Sequence, residues 1–382
     1  MHSERNAQNM KLTRLAALAV TGTLLIGGLA ACSSTPAASG GAATGAQGEC
    51  NVGISMPTRT LERWINDGEG LQTKLKGDGC TVDLQYADNK TDQQISQIQN
   101  QIAGGAKILV IAAIDGSSLG PVLAEAKKQN ITVIAYDRLI NGTGDVDYYA
   151  TFDNYKVGKL QGEFIAKQLG LADGKGPFNL EPFAGSPDDN NAKFFFSGAW
   201  DVLLPYVTSG KLVVPSGKSP SSDADWASIG IQGWASDKAQ AEMDNRLSSF
   251  YTSGQKVNVV LSPNDSLAIG IIASLKSAGY TPGSAYPVLT GQDADKANVQ
   301  AILNGEQSMT VWKDTRALGD RVQKMIASIV AGQQVEVNDT KTYDNGVKVV
   351  PSYLLDPEVV TKDTVQSMLI DSGFLKASDV GQ

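Results

Sequence analysis

Histidine is almost missing from this chain of 382 residues: the single one, His2, is the second residue. Ser-His-Asp and Cys-His catalysis, and metal sites built on imidazole, therefore have nothing to use beyond the extreme N-terminus. Cysteine is nearly as scarce, with only Cys32, Cys50 and Cys80. Cys50 and Cys80 are too few ligands for a zinc site. Beyond residue 31 no stretch approaches the roughly 18 apolar residues that a membrane-spanning helix needs. Positive charge is in deficit, 32 Lys and Arg against 40 Asp and Glu, for a formal net charge of −8. An acidic surface argues against nucleic acid and anionic headgroups as partners.

What is present begins with an export signal. Arg5, Lys11 and Arg14 precede an apolar run from near Leu15, closed by Leu29-Ala30-Ala31-Cys32. A cysteine directly after small residues resembles the processing site of a bacterial lipoprotein, where the cysteine takes a lipid and becomes the new first residue. On this reading Cys32 ties an extracytoplasmic protein to a membrane it does not span. ATP, NAD and DNA are then unexpected partners. Removing residues 1–31 leaves 351 residues of net charge near −10, enough for two lobes of about 150 residues each. Ser33–Gly48 is Ser, Thr, Pro, Ala, Gly and Gln only and reads as a flexible tether.

From Cys50 onward the hydrophobic pattern alternates between strands and helices. Val52–Ser55 and Thr81–Tyr86 read as strands, and the unbroken run Ile108–Ile114 as a strand buried on both faces. A helix follows near Pro121–Gln129, then the strand Ile131–Tyr136. A second set runs through the helices Tyr155–Leu169, Ala192–Leu204, Ser236–Phe250 and Leu267–Ala278, with strands at Phe178–Phe183, Val257–Leu261 and Val288–Leu289. Ala294–Leu303, Met309–Val311 and the long helix Thr315–Val330 come next, and Val347–Val350 before Pro351 reads as extended. The fold class is α/β, with parallel sheets covered by helices on both sides. Cys50 and Cys80 each open a strand pattern. If those strands are neighbours, an oxidising compartment favours a disulfide over two reduced structural thiols.

Ligands of open parallel sheets sit beyond the C-terminal strand ends. Polar and aromatic residues recur there: Arg63 and Trp64, Asp137 and Arg138, the run Gly185–Asn191, Asn264 and Asp265, the run Gly291–Asp295, and Lys313, with Trp234 in a glycine-rich loop. Asp265 reads as a helix cap. The combination suits a neutral polyhydroxylated ligand, whose hydroxyls both donate and accept while its C–H faces stack on indole. Charge-assisted bonds of roughly 1–3 kcal/mol each would support a Kd in the micromolar range.

At this point the sequence resembles the periplasmic sugar-binding proteins of ABC importers, specifically their multiple-sugar-binding and D-xylose-binding branches. The resemblance is carried by Leu61-Glu62-Arg63-Trp64, Tyr136-Asp137-Arg138, Asp147–Asn154, Gly185–Ala192, Gly291–Asp295 and Asn338–Tyr343. It implies a type I periplasmic-binding-protein fold, two similar doubly wound lobes joined by a three-segment hinge. The expected crossings lie near Phe152–Asn154, Thr290–Gly291 and Asn345–Val349. The N-terminal lobe is then 49–152 plus 292–344 and the C-terminal lobe 153–291 plus 345–382, which puts Asp293 and Lys313 beside Asp137 and Arg138 in the first. It implies sugar contacts at Arg63, Asp137, Arg138, Asp189, Asn191, Trp234, Asn264, Asp293 and Lys313, with Trp64 as a second indole. Pro57-Thr58-Arg59-Thr60 stands where the xylose branch carries acidic residues, which implies a broader range of aldoses such as glucose, galactose, arabinose and xylose. The resemblance further implies a monomer without cofactor or catalytic residues, delivering sugar to a permease and its ATPase, or presenting it to a membrane sensor. A glycosidase would need two carboxylates across a bond, which Asp137, Asp189 and Asp293 could supply. A sugar-responsive repressor is opposed by the export signal and by the lack of a DNA-reading helix pair.

Overall fold

A computed structural model describes residues Glu49–Gly381. The signal segment 1–31, the tether 32–48 and the lipidation residue Cys32 lie outside the described residues. Elements alternate as the hydrophobic pattern requires. The first run is β1 (Asn51–Met56), α1 (Glu62–Gly77), β2 (Thr81–Tyr86), α2 (Thr91–Ala103), β3 (Ile108–Ile111), α3 (Gly120–Lys128), β4 (Thr132–Tyr136) and β5 (Tyr148–Phe152). The second is α4 (Asn154–Leu169), β6 (Phe178–Pro182), α5 (Asn190–Thr208), β7 (Leu212–Val213), α6 (Ser236–Phe250), β8 (Val259–Leu261), α7 (Asp265–Ser277), β9 (Val288–Leu289), α8 (Lys296–Leu303) and β10 (Thr310–Trp312). The chain ends with α9 (Thr315–Val330), β11 (Ser352–Leu355) and β12 (Glu358–Val360).

Three sheets result, and the two larger ones each define a lobe. The first has the order β11-β5-β4-β3-β1-β2, parallel throughout. Along β3, Ile108 and Val110 enter one core with Leu71 and Leu75 of α1 and Leu318 and Val322 of α9. Leu109 and Ile111 enter the opposite core with Ile98 of α2 and Val122 and Leu123 of α3. A strand buried on both faces loses the polar alternation of a half-exposed one, hence the continuous apolar run. The second sheet, β7-β6-β8-β9, is also parallel. A parallel bridge between Gln292 and Val311 leads on to β10, which pairs antiparallel with β12. In both lobes the chain winds first to one side of its opening strand and then to the other, which places a switch point between the first and third strands.

The chain passes between lobes at Asp153, at Lys313–Asp314 and at Asp356–Pro357, and the last two positions correct the expectation. Residues 292–312 belong to the second lobe: Ala301, Met309 and Val311 share a core with Val257 and Val260. The return occurs only at α9, whose Leu318, Val322 and Met325 pack beside Val52 and Ile54. Residues 345–355 also stay in the first lobe, because Ser352–Leu355 adds a parallel strand to the open edge of β5, Ser352 opposite Tyr149 and Leu355 opposite Phe152. Strand–helix–strand patterning is the same in both lobes, so it carries no information on which sheet a strand joins. Asp153 and Asp314, at two of the crossings, cap α4 and α9 by accepting from Lys156 N and Arg316 N. Such caps fix where each helix starts as the chain enters the next lobe.

Cys50 and Cys80 form a disulfide. Their strands β1 and β2 are neighbours in register from Asn51 opposite Thr81, which leaves the two preceding residues facing each other. Among the described residues no helix is long and apolar enough to cross a membrane.

Candidate functional site

The C-terminal ends of both sheets face one narrow cleft. Arg63, Trp64, Asp137, Arg138, Asp189, Asn191, Trp234, Asn264, Asp293 and Lys313 all line it. The structure thus brings together all ten residues of the expected contact set. The first lobe contributes Arg63 and Trp64 from the first turn of α1 and Asp137 and Arg138 from the end of β4. The second lobe contributes Asp189 and Asn191 at the start of α5, Trp234, Asn264 before α7, Asp293 after β9 and Lys313 after β10. Asp293 and Lys313 therefore face Asp137 and Arg138 across the cleft instead of standing beside them.

Local chemistry holds these groups. Arg63 reaches Asp67, one helical turn on, through Nε at 3.0 Å and Nη2 at 2.8 Å, and Asp67 also accepts from the Tyr136 hydroxyl. This i, i+4 pair buttresses the guanidinium from behind. Asp189 caps α5 by accepting from Asn191 N at 2.9 Å, and its other oxygen accepts from Trp234 Nε1 at 3.1 Å. Asn264 caps α7 by accepting from Leu267 N at 3.0 Å. Asp265 is therefore not the cap. Its buried carboxylate accepts from Gln307 Nε2, Thr310 Oγ1 and Asp295 N and ties the Asp293 loop to β10.

Three site residues occupy the left-handed region without being glycine: Asp137 at φ 59°, Trp234 at φ 55° and Asp293 at φ 101°. Asp tolerates this region better than most residues, Trp poorly. Such conformations persist where surrounding structure over-determines them, most often at functional sites. Gly185 makes room for the indole: a Cβ there would lie 2.0 Å from Trp234 Cη2.

The charges of the two lobes meet in opposite pairs. Arg63 Nη1 lies 3.5 Å from Asp293 Oδ1, Arg138 Nε 2.9 Å from Asp189 Oδ2, and Lys313 Nζ 3.8 Å from Asp137 Oδ2, while within the second lobe Lys313 Nζ lies 3.1 Å from Asp293 Oδ1. Arg63 also holds Asp137 Oδ2 at 2.9 Å within the first lobe. Burial pushes the Asp137 carboxyl upward, but Arg63, Lys313 and Arg138 outweigh it and hold the group below the usual range. At Asp189 burial outweighs Arg138, and its carboxyl is raised. Two cations lie near the Trp64 ring, with Arg63 Cζ at 4.3 Å and Arg138 Cζ at 5.0 Å from its centroid.

Not every buried polar atom here finds a partner. Trp64 Nε1, Asp137 Oδ2, Arg138 Nε, Gln292 Oε1 and Asp293 Oδ1 make no aligned hydrogen bond among the described residues. Most buried polar atoms are hydrogen-bonded, so a cluster of exceptions at one cleft needs an explanation. Two donors and three acceptors without an aligned hydrogen bond, on residues that line one cleft, suit a ligand whose every group can do both. No cluster of three metal-ligating side chains occurs among the described residues.

Leu61, Phe195 and Gln292 also line the cleft without belonging to the expected contact set, although Gln292 stands in the strand-end run Gly291–Asp295. Phe195 stands one turn beyond Asn191 on the same face of α5, the signal that could have found it. Its ring meets the Trp234 edge at 6.2 Å and lies 5.5 Å from Lys313 Nζ. Arg59, in the loop that departs from the xylose branch, points elsewhere, 3.9 Å over the Tyr86 ring and 3.3 Å from Glu69.

Residues 52–334 match the periplasmic binding protein domain family. The chain is 52% identical over 330 residues to the multiple sugar-binding periplasmic receptor ChvE of Rhizobium radiobacter, covering 86% of this chain and 92% of that one. It is 36% identical over 332 residues to the D-xylose-binding periplasmic protein of Escherichia coli K12, covering 87% and 93%. Among solved structures, an ABC transporter solute binding protein from Clostridium phytofermentans with bound β-D-glucose is similar with a TM-score of 0.82. That pair shares 49% identity over 86% of this chain and 99% of the other.

Proposed function

This chain belongs to the periplasmic binding protein family, and from that premise we propose that it is the extracytoplasmic sugar receptor of an ABC importer. It is a binding protein and not an enzyme. It captures an aldopyranose between its lobes and delivers it to a membrane permease. The observation that supports this reading best is the cluster of buried polar groups contributed by both lobes, in which Trp64 Nε1 and Gln292 Oε1 have no partner while Asp137 Oδ2, Arg138 Nε and Asp293 Oδ1 have ion-pair contacts but no aligned hydrogen bond. Sugar hydroxyls complete those groups, and only the closed arrangement offers all of them at once. A ligand bound to both lobes therefore stabilises closure by its differential affinity for that state. Trp64 and Trp234 supply indole surface from opposite lobes to the C–H faces of the ring. Arg63, Asp137, Arg138, Asp189, Asn191, Asn264, Asp293 and Lys313 hold its hydroxyls, and Gln292 Oε1 adds an acceptor. Cys32 carries the lipid that keeps the receptor at the membrane, and the protein acts as a monomer.

The test is a thermal-shift panel of D-glucose, D-galactose, L-arabinose, D-xylose, D-ribose and mannitol. Binding to the folded state raises the unfolding temperature by mass action, so several aldopyranoses are expected to raise it and mannitol is not. A panel with no response at millimolar sugar would refute the reading.

A further inference from the structure

One ion pair joins the lobes away from both the cleft lining and the crossing segments, alone in this among the described residues. Glu62, the first residue of α1, places Oε1 3.1 Å from Lys296 Nζ. Its Oε2 accepts from the backbone N–H of Lys296 at 3.3 Å. Lys296 is the first residue of α8 in the second lobe. The residue in the N-cap position of α8, Asp295, makes no side-chain capping bond. A carboxylate of one lobe thus serves both the ammonium and the positive helix end of the other. Both side chains are partly exposed, Lys296 at 47% and Glu62 at 30%, and neither lines the sugar cleft.

We propose that Glu62 and Lys296 form a closing latch, positioning residues that touch no sugar but hold the lobes together and so set the affinity for every aldose by a common factor. This rests on the sugar-receptor reading for its ligand, and on geometry alone for its mechanics. Both ends sit on rigid helix starts, one residue from Arg63 and three from Asp293, so separating the lobes must break the contact. An interaction present only in the closed form shifts the closing equilibrium by its own strength and multiplies the apparent affinity accordingly. Like charge opposes it in part. Burial, Asp293 and Glu62 together push the Asp295 carboxyl up to about 8, and its proton removes most of that repulsion near neutral pH.

The experiment compares the full chain with Glu62→Gln, Lys296→Met and the double variant, by calorimetry with glucose, galactose, arabinose and xylose. An exposed pair with a helix-end contribution predicts a loss of about three- to tenfold in affinity. The loss is expected to be the same for all four sugars and to appear in the dissociation rate. The double variant is expected to lose no more than either single one, since one interaction is removed in each case. In 1 M NaCl the wild-type affinity falls toward that of the variants. Unchanged affinities, losses confined to one sugar, or additive losses would each overturn the latch. X-ray scattering of the ligand-free proteins supplies a readout independent of sugar. A radius of gyration that grows on Glu62→Gln supports the latch and an unchanged one opposes it, whereas absence of sugar binding by the wild type would count against the receptor reading.

Discussion

The two lobes share a strand order but bring different chemistry to the cleft. The first offers two guanidiniums and one carboxylate, Arg63, Arg138 and Asp137. The second offers two carboxylates and one ammonium, Asp189, Asp293 and Lys313, with the amides of Asn191 and Asn264. Each charged group of one lobe faces an opposite charge of the other. Two surfaces built this way select one relative orientation and resist misregistration. On the sugar-receptor reading, a ligand would enter an already complementary interface. The difference teaches that the complementarity of the two lobes is written in the side chains that line the cleft.

The most severe test removes one charge from each side. Asp293→Asn keeps a residue that tolerates φ 101° but leaves Lys313 and Arg63 short of a partner. Asp137→Asn does the same from the first lobe. Each is expected to cost about 3 kcal/mol of binding, more than a hundredfold in Kd, without unfolding the protein. Calorimetry showing a large loss for one and less than tenfold for the other would break the symmetry of the comparison.

A similar energy separates the lobes in stability. Only the first carries a disulfide, closing a loop of 30 residues between Cys50 and Cys80. Replacing both cysteines by alanine is expected to destabilise that lobe by about 3.6 kcal/mol on the chain-entropy estimate. Calorimetric unfolding checks this. If the first lobe alone weakens, the transition broadens or splits, and if the lobes unfold as one, the single peak moves down intact.

The smallest effect distinguishes the lobes by pH. Burial raises Asp67 in the first lobe to about 6, against the Arg63 charge, and Asp295 in the second to about 8, with Asp293 and Glu62 adding to the rise. Between the ordinary value of 3.8 and the raised one, the folded state holds a proton that the unfolded chain has released. Stability from these groups is therefore lost as pH rises, up to about 6 for Asp67 and about 8 for Asp295. Acidifying the ligand-free protein from pH 8 to pH 6 should raise its unfolding temperature through Asp295 and the neighbouring Asp265, whose carboxyl burial also raises, and not through Asp67. Asp295→Asn should flatten that part of the curve; a slope that persisted would assign the proton to another group.

Much of this was legible in one chain. The helices Ser236–Phe250 and Thr315–Val330 follow the apolar period residue for residue, because a buried helical stripe leaves a strong 3.6-residue signal. Ile108–Ile111 read as a strand for the same local reason, although the strand stops before Ala112 and the rest of the run, to Ile114, is loop. Short edge strands were not legible. Leu212–Val213 and Glu358–Val360 are too brief for a period. Ser352–Leu355 is recognised as a strand only by the open side of β5 that it covers. At the site, residue types gathered at strand ends were informative together, while Phe195, an apolar residue on a helix, looked like core.

Local sequence determined most helices, the longer strands and which polar groups stand at the strand ends. These follow from side-chain period, backbone sterics and hydrogen bonds a few residues long. Only the tertiary structure decided that Asp293 and Lys313 belong to the second lobe, that Ser352–Leu355 returns to the first, and that Arg63 meets Asp293 across the cleft. Those outcomes depend on ladders and ion pairs between residues as much as 230 apart, such as Arg63 and Asp293 or Tyr149 and Ser352. Lobe membership is a property of the assembled sheets, and no local pattern encodes it.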